Sequence, residues 1–206
     1  MNGILAKKLG MTQVFTDEGE RVPVTVLAAG PCVVIRHKTL DNDGYEAVQV
    51  GFGDKKEFRA NKAELGNFKK SGVGAKQHLL EFAAEDLAQW PVGKEFGAAD
   101  ILSDDELVDV SGVSKGRGFS GTIRRHNFAM GPQSHGTHNI RKPGSIGANS
   151  YPARVFPGKK GPGQYGNKKT TVKNLQVVKV DGERNLVFLK GAVPGPKNGI
   201  IVVRKS

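Results

Sequence analysis

The sequence predicts a mainly β protein: an antiparallel barrel or sandwich with short helices and one long, irregular, basic extension. Three observations carry this reading. Short apolar stretches at period two follow one another near the N-terminus, and the same pattern returns near the C-terminus. Between them lies a stretch rich in Gly and Pro that has little apolar periodicity and no carboxylate.

The strands come first. Val22, Val24 and Val26 alternate with Pro23 and Thr25, Val33-Val34-Ile35 follows, and Val48, Val50 and Phe52 again recur at period two. Asp17-Glu18-Gly19, Gly30-Pro31 and Asn42-Asp43-Gly44 separate them with residues that tolerate positive φ or preset a bend. Regular short strands with such turns point to a barrel or a sandwich. From Lys55 to Glu106 the pattern blurs, and Asn61-Lys62-Ala63-Glu64-Leu65 and Ala83-Ala84-Glu85-Asp86-Leu87-Ala88 read as short helices between loops. Trp90 and Phe96 read as packing residues, since neither has the basic surroundings of a base-stacking platform. Leu175 to Val180 and Asn185 to Lys190 flank Asp181-Gly182-Glu183-Arg184 as a hairpin, and Ile200 to Val203 supplies a closing strand. The two strand sets are expected to share one barrel, built from 1–126 and 170–206, with 127–169 as an extended segment.

Asn127 to Lys169 is far too long for an ordinary loop in a compact domain. It combines glycines with spaced Arg and Lys, isolated aromatics and no acids, which a flexible linker rarely does. Alone it should not fold; along a polyanion it should order.

Charge supports that partner class. The chain has 206 residues and a formal net charge of +11, but the charge is segregated. Met1 to Val110 carry 13 Lys or Arg against 18 Asp or Glu, whereas Ser111 to Ser206 carry 18 against 2. From Ser111 to Val180 there are 13 basic residues and no acid. A solvated salt-bridge face mixes signs, so this segment favours a polyanionic ligand. No apolar run approaches the roughly 18 residues of a membrane span, so no membrane partner is expected. Met1 to Lys8 lack the pattern of a secretory signal. Cys32 stands alone, which excludes an internal disulfide and a cysteine zinc site and fits the cytoplasm. Beside Val33, Val34 and Ile35 it reads as buried filler.

Gly116-Arg117-Gly118-Phe119-Ser120-Gly121 matches the dinucleotide pattern G-x-G-x-x-G. That pattern needs a carboxylate about 20 residues downstream for the ribose, and the next here is Asp181. The better reading is a tight backbone passage where glycines admit an RNA strand while Lys115, Arg117, Arg124 and Arg125 meet phosphates. His126, His135 and His138 lack thiolate or carboxylate co-ligands, so no metal is expected. With Gln133, Asn139 and Asn149 they suit polar contacts to sugars and base edges. Arg141, Lys142 and Arg154 add charge along the segment, and Lys159-Lys160 and Lys168-Lys169 bracket Gly161 to Gly166. Tyr151, Phe156 and Tyr165 are candidates for stacking on bases, with Phe156 equally suited to packing back on the protein. No nucleophile has an assignable base and orienter, so no catalytic residue, cofactor or small-molecule substrate is expected.

The run containing Leu102, Asp109, Gly112, Ser114, Gly116, Arg117, Gly118, Gly121 and Arg125 resembles the signature of the universal large-subunit ribosomal protein L-three family in its bacterial form. Gly3 to Phe15, Gly144-Ser145-Ile146-Gly147, Gly158-Lys159-Lys160 and Val178 to Gly195 extend the resemblance over nearly the whole chain. It implies a translation-factor-like β-barrel on the subunit surface and an extension threading rRNA toward the peptidyl transferase centre. It further implies binding early in assembly, with large-subunit rRNA and neighbouring large-subunit ribosomal proteins as partners. On this sequence Gly144 to Tyr151, with Ser145 and Asn149, would be the tip nearest the catalytic RNA, and Lys115 to Arg125 the entry into RNA. Some bacterial members carry a methylated glutamine at the position of Ser150, and serine has no such amide.

Two readings compete. An RNA-modifying enzyme on a β-barrel scaffold needs a cofactor pocket or metal carboxylates, and the acid-free half offers neither. A non-specific nucleic-acid-binding protein would show little preference among RNAs, whereas a ribosomal protein selects one folded site by shape.

Overall fold

A strand forms wherever β-branched and apolar residues can face a core on one side, and the computed structural model places most of the chain's Val and Ile in such positions. It describes residues 1–16, 18–84 and 86–206; Asp17 of the predicted first turn and Glu85 of the predicted second helix lie outside the described residues. In chain order the first half contains β1 (Gly3–Phe15), β2 (Arg21–Ala28), β3 (Cys32–Lys38), α1 (Leu40–Asp43), β4 (Ala47–Asp54), α2 (Lys62–Ser71), β5 (Lys76–Phe82) and β6 (Glu95–Phe96). The second half contains β7 (Leu107–Val113), β8 (Phe119–Ser120), α3 (Thr122–His126), β9 (Gly163–Gln164), β10 (Lys169–Asp181), β11 (Leu186–Lys190) and β12 (Ile200–Lys205). No helix among the described residues is long and apolar enough to cross a membrane.

The chain divides into two units. The first joins Met1–Val113 to Lys169–Ser206, and the second is Ser114–Lys168. In the first, six antiparallel strands close a barrel in the order β1-β12-β7-β10-β11-β2. Ile4, Val108, Val110, Val177, Val187, Leu189, Ile201 and Val203 are fully buried, and each such side chain contributes about 1.5–3 kcal/mol through burial. The interior fits closely. A Cβ on Gly3 would lie 2.6 Å from both the Val203 carbonyl oxygen and the Phe82 ring, so only glycine lets β1 approach there. The buried hydroxyl of Thr25 donates to the Gly191 carbonyl at 2.6 Å, which removes the cost of an unpaired polar group.

The expected sharing of one barrel by both strand sets holds only in part. β3 and β4 belong instead to a four-stranded antiparallel sheet, β5-β4-β3-β6. β2 is already paired with β1 on one edge and β11 on the other, so the closed barrel offers β3 no free edge. Trp90 and Phe96 pack in the first unit's core with ring centroids 5.1 Å apart, edge to face. Cys32 is fully buried and its thiol is pushed up to about 12 by burial.

Asn61-Lys62-Ala63-Glu64-Leu65 begins α2. The Asn61 side chain accepts from the Glu64 N–H at 2.7 Å and the Glu64 carboxylate accepts from the Asn61 N–H at 3.3 Å, a capping box. Phe68 buries against Ile35 and Ala75. The described residues of Ala83 to Ala88 form no helix. There Asp86 turns back to accept from the Ala88 N–H at 2.9 Å, so its side chain replaces a helical backbone bond.

Candidate nucleic-acid interface

Ser114 to Lys168 carries ten Lys or Arg and no Asp or Glu. Its fully buried residues are Ser120 and Thr122; none of its larger apolar side chains is buried. A unit without an apolar core must find its ordering energy elsewhere, and unscreened positive charge directs it toward a polyanion.

Backbone crossings hold its base. Phe119 and Ser120 of β8 pair with Gln164 and Gly163 of β9. The Arg117 N–H donates to the Tyr165 carbonyl and the Tyr165 N–H to the Gly118 carbonyl, both at 2.9 Å. Gly166 has φ +70°, and a Cβ on it would overlap the Lys115 carbonyl oxygen. The close approach expected of the glycines is therefore made at Gly166 to the chain's own backbone. Gly118 and Gly121, in contrast, have nothing within 4 Å of a Cβ position, so their backbone is open.

Arg125 and His126 converge on one atom. Arg125 Nη1 donates to the Gly161 carbonyl oxygen at 2.8 Å, and His126 Nε2 lies 3.1 Å from the same oxygen. A carbonyl only accepts, so Nε2 carries the proton. Both side chains are half-buried and brace the unit, which the sequence reading had not foreseen. The remaining guanidinium N–H groups of Arg125 are not used in that bond.

The other expected site residues are exposed: Lys115, Arg117, Arg124, His135, His138, Arg141, Lys142, Ser145, Asn149, Arg154, Lys159, Lys160, Lys168 and Lys169. Some are brought together. Ser145, Lys159 and Lys160 line a cleft of about 240 Å³ together with Phe128, Ile146 and Val155. Ser145, Asn149 and Arg154 line the shallower groove beside it. Arg124 lies in α3, while Lys169 opens β10 opposite Val113 and so belongs to the first unit. Ser114 to His126, placed by sequence with the barrel, belong to the second unit and include its β8 and α3.

Among the aromatics, Tyr151 is 90% exposed and Phe156 stands under the Arg154 guanidinium at 5.5 Å. Tyr165 is half-buried with Arg117 over its ring at 5.8 Å. Phe119 is 79% exposed and was not singled out from sequence, although an aromatic between Arg117-Gly118 and Ser120-Gly121 in an acid-free stretch carried the signal. Among the described residues no three His, Cys, Asp or Glu side chains are grouped to hold a metal ion.

Residues 47–185 match the family model of ribosomal protein L3. A protein of Heliobacterium modesticaldum named large ribosomal subunit protein uL3 is 53% identical over 204 residues, covering 99% of this chain and 96% of the relative. A protein of the same name from Syntrophotalea carbinolica is 52% identical over 204 residues, covering 99% of this chain and 97% of that relative.

Proposed function

Because the chain belongs to the ribosomal protein L3 family, we propose that it is a structural constituent of the large ribosomal subunit, on the cytoplasmic ribosome. It binds large-subunit rRNA beside neighbouring ribosomal proteins. The observation that carries the RNA contact is the second unit's ten cations, absent carboxylates and unburied apolar side chains. Such a unit gains its order from phosphates.

Within it, Lys115, Arg117, Arg124 and Arg125 take phosphates at the entry. Lys159 and Lys160 hold phosphate at the Ser145 cleft, whose apolar lining residues Phe128, Ile146 and Val155 suit an unstacked base. Asn149, Arg154, His135, His138, Arg141 and Lys142 contact sugars, base edges and phosphates along the rest, and His126 supports that surface through Gly161. Lys168 and Lys169 contact phosphate where the segment returns to the barrel strands. The segment threads rRNA toward the peptidyl transferase centre, and binding occurs early in assembly. The role is structural rather than catalytic, and the one thiol, buried and held protonated, is no nucleophile.

Sedimentation of a cell extract tests this. The protein is expected in the large-subunit fraction and retained after a moderate salt wash; recovery among free proteins would overturn the assignment.

A further inference from the structure

A second group of cations lies in the acid-rich half of the chain. After β4 the backbone makes a 3-10 turn, Glu57–Arg59, and enters α2. The Lys55 ammonium reaches the Glu64 carboxylate at 2.7 Å and ties the start of this turn to the first turn of the helix. Phe58, held between these anchors, is 77% exposed. The Lys56 ammonium lies 5.9 Å and the Arg59 guanidinium 5.6 Å from its ring centroid.

The helix continues the pattern. Lys62, Gly66 and Lys70 recur at i, i+4 and i+8 along one side, opposite the Phe68 face that packs on Ile35. Gly66 is helix-interior, where glycine is unfavourable, and nothing lies within 4 Å of its Cβ position. No packing constraint calls for it; what it provides is a bare saddle between two ammonium groups. Lys69 and Lys70 have an ordinary role at the C-terminus, where they complement the helix dipole, but Lys62 sits in the first turn and opposes it. None of Lys56, Arg59, Lys62, Lys69 and Lys70 forms an ion pair with a described carboxylate.

We propose that residues 56–70 form a second RNA-binding surface, in which the exposed Phe58 ring stacks on an unpaired base while Lys56, Arg59 and the Lys62–Gly66–Lys70 saddle hold the phosphates of the same irregular strand. An exposed aromatic beside unpaired cations is the arrangement that binds single-stranded RNA. The bare glycine lets a backbone approach between the lysines. A lone exposed Phe, or lysines alone, would be ordinary surface; their combination with Gly66 and Lys62 against local preference is what points to a ligand.

A photoreactive benzoylphenylalanine at position 58 of the full chain, irradiated in assembled large subunits, is expected to give an RNA adduct. An adduct only to protein, or none, would overturn the proposal. In the purified full chain, Phe58→Ala should weaken binding to large-subunit rRNA about 5- to 150-fold. Lys62→Gln with Lys70→Gln should lower the log–log salt slope by roughly 1.5, and both variants should melt as the parent does. Unchanged affinity and slope in variants of a parent that binds would remove this surface alone. A parent that does not bind would remove the proposed function with it.

Discussion

The Lys205 ammonium stands 3.0 Å from Oε1 of Glu106, tying barrel strand β12 to the residue that precedes β7. Glu106 Oε2 also accepts from the Ser103 N–H at 3.2 Å. Burial pushes the Glu106 carboxyl up, but the bonds from Lys205 and Ser103 outweigh it and hold the group below its ordinary value. A carboxyl whose folded pKa is depressed contributes stability that is present above its unfolded pKa and lost as pH falls through the folded one. Lys205 is partly exposed, so solvent screens the pair. Glu106→Gln should therefore cost about 0.5–1 kcal/mol at neutral pH, and thermal melts should show the gap closing in acid. A gap of constant size down to pH 3 would mean that charge is not its origin.

Gly166 tests whether the base of the second unit is built by its backbone crossing. Alanine there must both hold a left-handed φ and displace the Lys115 carbonyl. Gly166→Ala should weaken rRNA binding while leaving the barrel's melting transition in place, because the strained atoms belong to Ser114–Lys168. Calorimetry and filter binding on the same sample distinguish this from general unfolding.

Binding should fall steeply with salt. Each phosphate contact releases counterions, with a log–log slope of roughly 0.7–0.9 per contact. Lys159→Gln with Lys160→Gln should lower that slope by roughly 1.5 and weaken binding similarly across sequences, as phosphate contacts do. An unchanged slope would place the Ser145 cleft away from RNA.

How legible these features were in sequence depended on whether the environment imposed a period. β2 and β4 were readable because their apolar side chains recur at period two, although burial follows that period only in part: Thr25 is buried beside Val24, and Ala47 and Gly51 beside Val48 and Val50. β1 was not. Its first half, Ile4-Leu5-Ala6, is buried at successive residues, and its second half, Met11-Thr12-Gln13, is exposed at successive residues, so neither half alternates. β7 does alternate, with Val108, Val110 and Gly112 buried, but its acid and glycine masked the signal. The six-stranded closure joins strands from both ends of the chain, and no local pattern encodes which edge is free. The basic segment was visible because charge sign needs no geometry to be read. The inward turn of Arg125 and His126 onto Gly161 lay hidden because it depends on a contact between residues about 35 apart.

The second unit has no apolar core, so its order should depend on its ligand. Arg141, Arg154, Lys159 and Lys160 are exposed in an irregular stretch, which is where proteases cut first. Free protein should be cleaved by trypsin at these residues before any barrel site, and the same bonds should survive in intact large subunits. The segment to remove is set by its contacts: α3 and Gly161 brace one another and β8 pairs with β9, so 128–160 is what can be exchanged for a short Gly/Ser linker. The shortened chain should melt cooperatively with the parent's barrel and bind rRNA much more weakly, since Arg141, Lys142, Arg154, Lys159 and Lys160 leave with the segment. Resistance of the free chain to trypsin, or loss of the barrel on shortening, would show that 128–160 belongs to the core.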